Sequence, residues 1–131
     1  MDISLIIPCY NYENLIINRF EKLKKKLKLT KNNYEIIFIN DGSSDKTLNK
    51  LNLIKKKNKN VLIINSKMNI GKSYSLIKGI SKSKFDNIVI YDCDLPYFNY
   101  FNKVIKFINK YDLIYINRKS SESKLNKKSF T

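Results

Sequence analysis

The chain has 131 residues, 43% of them hydrophobic, which fits one globular domain and argues against disorder. Lys and Arg total 26 against 11 acids, a net charge of +15, yet every basic residue except Arg19 and Arg118 is lysine. Readers of base edges favour the planar fork of arginine, so specific nucleic-acid binding is not expected from this charge.

In chain order, short apolar runs alternate with longer amphipathic ones. Residues 3–7, 34–39, 61–64, 88–91 and 113–116 are β-rich and apolar on both faces, as parallel strands covered on each side by helices should be. Between the first two runs, Leu15 or Ile16, Phe20, Leu23 and Leu27 recur at helical spacing. A second helix follows the capping side chains of Ser43, Ser44 and Asp45 and turns Leu48, Leu51 and Ile54 inward. The spacing predicts a third helix over about 72–81, with Tyr74, Ile77 and Ile80 as its apolar side. A fourth is predicted over about 100–110, with Val104, Ile105 and Ile108 apolar. This order implies an α/β fold: a mostly parallel sheet with helices on both faces. The domain is expected over 1–119, with 120–131 a polar, Lys- and Ser-rich tail.

Two cysteines and no histidine exclude a disulfide framework and an ordinary zinc site. No apolar run approaches the ~20 residues that span a bilayer, and the N-terminus lacks a signal-peptide layout, so a reduced, cytoplasmic setting is expected.

In open α/β sheets, ligands bind outside the carboxyl ends of the strands. The unusual residues of this chain fall there: Pro8-Cys9-Tyr10-Asn11, Asn40-Asp41-Gly42-Ser43-Ser44-Asp45, Met68-Asn69-Ile70-Gly71-Lys72 and Asp92-Cys93-Asp94. Carboxylates two apart at a strand end repel unless a cation neutralises them, and Mg²⁺ or Mn²⁺ with phosphate oxygens is the usual solution. In the second segment, helix capping accounts for Ser44 and Asp45 but not for Asp41, whose carboxylate is expected to be free for a base or ribose. Gly71-Lys72-Ser73 imitates the end of a phosphate-binding P-loop, but Ser66 stands where that loop needs its first glycine. Lys72 near a helix N-terminus remains suited to an anionic ligand. Cys9 and Cys93 end the first and fourth strands and approach each other if those strands are neighbours. Without a histidine base, they read as small residues filling tight places.

Together the four segments resemble the family 2 glycosyltransferases, whose nucleotide-sugar-binding domain is the Rossmann-like GT-A fold. Asp92-Cys93-Asp94-Leu95-Pro96-Tyr97 looks most like the branch that charges dolichyl or polyprenyl phosphate with glucose or mannose. The resemblance implies that Pro8, Tyr10 and Asn11 line the nucleotide pocket, with Glu13 near the ribose and Asp41 on the base. It implies that Asp92 faces ribose or metal, that Asp94 holds Mg²⁺ or Mn²⁺ on the diphosphate, and that Arg118 contacts a phosphate. The implied activity is metal-dependent, inverting transfer from a nucleoside-diphosphate sugar to a lipid phosphate or growing glycan, at the inner face of a membrane. The match reaches the donor-binding half, so the acceptor-side catalytic base is expected outside this chain, on a further segment or a partner chain. Two other readings stand beside it: a nucleotide-sugar-binding module without independent transfer, and a basic nucleic-acid or membrane-surface protein.

Overall fold

The structure, a computed structural model, describes residues 2–30 and 32–116. The two-faced apolar runs pair in parallel. Strands β1 (Asp2–Cys9), β2 (Asn33–Asp41), β3 (Val61–Ser66) and β4 (Asn87–Ile90) form a sheet in the order β3-β2-β1-β4. Ile6 sits opposite Ile37 on β2 and Ile90 on β4, and Ile39 sits opposite Ile64 on β3. The strand order changes direction between β1 and β4, and the parallel pairing aligns all four carboxyl ends along one edge.

Helices α1 (Ile16–Lys28), α2 (Thr47–Lys57) and α3 (Lys72–Ser81) link successive strands. The helix α1 buries Ile16, Phe20, Leu23 and Leu27, as its spacing predicts. Its Phe20 ring lies 6.3 Å from that of Phe38 on β2. Beside it, α2 packs on α1 and β3 with Leu51 and Ile54 buried. On the opposite face of the sheet, Ile6, Ile37 and Ile39 are buried under α3, with Leu62, Ile64, Leu76 and Ile88 packed around them. The central strands are thus covered on both faces, which explains why β1 shows no polar alternation.

The side that α3 buries differs from the expected one. Tyr74, Ile77 and Ile80 are exposed, whereas Ser75 and Gly79 are buried. A Cβ on Gly79 would come within 2.5 Å of the Ile6 side chain and 3.0 Å of that of Ile39. Close approach of helix to sheet selected small residues here, and apolar periodicity does not register them.

The chain divides into two units, Met1–Pro96 and Tyr97–Thr131. In the second, a 3₁₀ turn at Phe98–Tyr100 leads into the short helix α4 (Phe101–Ile105), with the Phe98 and Phe101 rings 5.5 Å apart. Regular helix stops well before the expected residue 110 and gives way to turns. The strand expected at 113–116 does not form either; Leu113 and Tyr115 are about four-fifths exposed. An apolar run of that length becomes a strand only when a neighbouring backbone pairs with it. The predicted tail lies outside the described residues.

Candidate functional site

Pro8 is tolerated in a central strand because of where β4 ends. The Tyr91 N–H donates to the Ile6 carbonyl at 3.0 Å, so the backbone groups of Ile6, and by alternation Pro8, face β4. The ladder with β4 closes at Ile6–Ile90, leaving no partner at the place where Pro8 lacks a donor. Beyond it, Cys9 turns into the interior and Tyr10 is half exposed.

The loops after β1 and β2 exchange side chains. Asn11, in the left-handed region at φ 56°, donates its N–H to Ser43 Oγ at 3.0 Å. Its own Oδ1 accepts the Ser44 N–H at 2.9 Å. The Tyr12 N–H donates to Thr47 Oγ1 at 2.7 Å, and the Glu13 N–H donates to Asp45 Oδ2 at 3.0 Å. In return, Glu13 Oε2 accepts the Lys46 N–H at 2.7 Å. Asn11 and Glu13, both proposed from sequence as nucleotide contacts, are therefore also the clasp between two loops, and Glu13 serves the start of α2.

Burial alone would raise the Asp45 carboxyl. Hydrogen bonds from the Thr47 side chain and from backbone groups, including the N–H of Glu13 and Thr47, outweigh it and hold the pKa below the ordinary 3.8.

Asp41 is not the free carboxylate that its place in the motif suggested. It is only 5% exposed, and its two oxygens accept the Ile70 and Gly71 N–H groups, each at 3.0 Å. Gly71 caps α3, so Asp41 sets the start of that helix from the end of β2. Gly42 makes the approach feasible: φ is +68°, and a Cβ there would lie 2.2 Å from the Met68 carbonyl carbon. The loop over 68–71 consequently rests on the backbone of Gly42.

Lys72, the first residue of α3, reaches across to Asp92 after β4, where its ammonium forms an ion pair with Oδ1. The turn that carries Asp92 is closed by the Leu95 N–H on the Asp92 carbonyl at 2.9 Å, with Leu95 at φ 54°. Cys93 points inward at 3% exposure while Asp94 is exposed, so the carboxylates flank a buried thiol. The Sγ atoms of Cys93 and Cys9 lie 3.2 Å apart as free thiols, which fulfils the expected approach of the two strand ends. Burial, with the Cys93 hydrogen bond and charge added, pushes the Cys9 thiol well above its ordinary value.

Tyr12 belongs to this neighbourhood and was passed over in the sequence. Its phenol is pushed up by burial and next by the charge of Asp94, with smaller contributions from Cys93, Cys9 and Asp92. The sequence carries no mark of this, because β1 ends at Cys9 and the left-handed Asn11 breaks the strand alternation before Tyr12. Arg118 lies outside the described residues.

The two carboxylates suit a hard divalent ion. An ammonium already sits against Asp92, showing that the position accepts positive charge. Among the described residues no cluster of three Cys, Asp or Glu ligands forms. Water and phosphate oxygens would therefore complete the shell, which is the habit of Mg²⁺ and Mn²⁺.

The model of the Glycosyl transferase family 2 matches residues 4–130. An uncharacterized glycosyltransferase of Synechocystis sp. is 35% identical over 133 residues, covering 100% of this chain and 42% of its own. A prophage bactoprenol glucosyl transferase homolog of Escherichia coli is 33% identical over 95 residues, covering 72% of this chain and 31% of its own. This chain thus spans less than half the length of either relative. Among solved structures, a mannosyltransferase from Pyrobaculum calidifontis in complex with GDP-Man and Mn²⁺ superposes with a TM-score of 0.60. It is 18% identical and matches over 70% of this chain and 27% of its own. The fold is that of the GT-A glycosyltransferases.

Proposed function

The chain belongs to glycosyltransferase family 2, and from that premise we propose that its four-loop edge binds a nucleoside-diphosphate sugar and takes part in transferring the sugar, with inversion, to an acceptor. One observation carries this reading: Lys72 and Asp92 converge at the carboxyl edge beside the loop of Tyr10 and Asn11, although 20 residues separate them. Capping and turn formation do not account for that convergence; a cation and a carboxylate side by side at this edge suit an anionic, metal-bound ligand.

In this reading Pro8, Tyr10 and Asn11 border the nucleoside, and Asp41 acts by holding the loop against which the base rests. Glu13 fixes the loop that would face the ribose. Asp92 and Asp94 would hold Mg²⁺ or Mn²⁺, which supplies positive charge to the departing diphosphate. Lys72, at the start of α3, adds its ammonium and the helix dipole on the same side. Arg118 is assigned to a phosphate of donor or acceptor. The acceptor we propose is a polyprenyl phosphate, supported by the relative named for bactoprenol; a glycan is the other candidate. Such an acceptor places the protein at the inner membrane face. Among the described residues no helix is long and apolar enough to cross a membrane.

Calorimetry with UDP, GDP and their sugars, with and without Mn²⁺, tests the reading. One nucleotide should bind, Mn²⁺ should strengthen it, and Asp94→Asn should weaken the metal-dependent part about tenfold, the effect of one lost charge-assisted contact. Binding by none of these ligands, or binding indifferent to both Mn²⁺ and Asp94→Asn, overturns it.

A further inference from the structure

We propose that Lys72 is a built-in counter-ion for Asp92, displaced by an arriving divalent cation and thereby released toward the diphosphate of the donor. The proposal rests on the reading above that Asp92 and Asp94 face the donor's metal, and it adds a residue that alternates between two anionic partners.

Three features of the fold lead to it. First, the base of Lys72 is held rigidly. Asp41 grips the Ile70 and Gly71 N–H groups, and the Met68–Asn69 backbone rests on Gly42, so α3 begins at a set place. Second, Asp92 and Asp94 flank the buried Cys93 beside the partly buried Tyr12, whose phenol feels the charge of Asp94. Lys72 meets the Asp92 carboxylate of this pair with a cation from within the chain.

Third, the two partners differ in freedom. The Lys72 side chain is 55% exposed and that of Asp92 30%, so the lysine is the partner able to leave. An ion pair this open to solvent is weak enough to yield to a divalent ion with two carboxylates. The four-carbon stem of lysine lets its ammonium swing while the backbone stays in place. Displacement by metal and capture of the diphosphate then become linked: metal arrival frees the group that greets the phosphates. A donor arriving without metal meets a lysine still engaged by Asp92.

The experiment measures Mn²⁺ affinity from the electron paramagnetic resonance of the free ion, for wild type, Lys72→Met and Lys72→Arg, without nucleotide. Lys72→Met should bind Mn²⁺ about five-fold more tightly, the scale of an exposed ion pair, while Lys72→Arg stays near wild type. A second readout needs no bound nucleotide: acetylation of the Lys72 amine, followed by peptide mass spectrometry. Mn²⁺ should raise labelling several-fold, and Asp92→Asn should raise it equally without metal. Because Lys72 is a surface position, the Met variant is expected to keep the wild-type thermal midpoint. Wild-type Mn²⁺ affinity in Lys72→Met, or labelling indifferent to both Mn²⁺ and Asp92→Asn, overturns the proposal and leaves the donor-binding reading standing. If no variant binds Mn²⁺ with or without nucleotide, the proposal and the metal reading fall together.

Discussion

The carboxylate of Asp41 accepts the N–H of Gly71, the residue that caps α3, at 3.0 Å, and so ties the end of one strand to the start of the helix that carries Lys72. A buried carboxylate with two backbone donors is a strong local support; removing it strands the Ile70 N–H and leaves the Gly71 N–H only its second acceptor, Asn69 Oδ1 at 3.1 Å. Asp41→Ala should lower the stability of the fold by about 2 kcal/mol in urea titration, within the range for hydrogen bonds to a charged group. It should also free Lys72 to acetylation, since the helix start is no longer held.

Gly42 and Gly79, one in a loop and one inside α3, make a paired prediction. Gly42→Ala sets a methyl group against the Met68 carbonyl carbon and strains a left-handed backbone. A cost of about 3 kcal/mol is expected from strain and overpacking together. Gly79→Ala meets the stiff β-branched Cγ2 of the fully buried Ile6 and the more yielding Cδ1 of Ile39, on an unstrained helical backbone, so about 2 kcal/mol is expected. Equal losses for the two variants in thermal unfolding would show that the loop over 68–71 shifts freely.

Alkaline stability follows from burial. Cys9 is held well above its ordinary 9.0, and Tyr91 is pushed up by burial from 10.0 to about 12. Both groups keep their protons longer in the folded chain than in the unfolded one. Their contribution is therefore full below pH 9 and is lost as the pH rises through the folded values. Urea midpoints should be flat from neutrality to that point and fall steadily beyond it. Cys9→Ala should make the onset of the fall later, whatever it does to the midpoint at neutral pH.

Asp45 governs the acid side with the opposite sign. Its folded pKa is lowered, so its contribution is full above the ordinary 3.8 and disappears as the pH falls through the depressed value. Asp45→Asn should flatten the stability profile in that acid window while leaving the alkaline limb unchanged, a comparison readable by circular dichroism.

The succession of the first four strands and the first two helices was legible from apolar periodicity, because β1, β2, α1 and α2 bury ordinary apolar side chains. The inner side of α3 was not, since Ser75 and Gly79 achieve contact by being small. Nor was the strand at 113–116, whose existence depends on a pairing partner rather than on its own residues. At the site, the meeting of Cys9 with Cys93 followed from strand adjacency. The employment of Asp41 and Glu13 did not, because a carboxylate bound to a distant backbone N–H leaves no trace in spacing. Asp41 takes its partners 29 and 30 residues away. Tyr12 escaped notice for a related reason: its importance comes from charges brought near it by β4.

The clasp between Asn11, Glu13 and the segment from Ser43 to Thr47 makes the first two loops a single cassette. Substitutions within it will not add, since each removes a partner that the other needs. Transplanting the base preference of a relative into this chain should therefore succeed only when both loops move together. A graft of either alone would carry unmet donors and acceptors into the new surroundings.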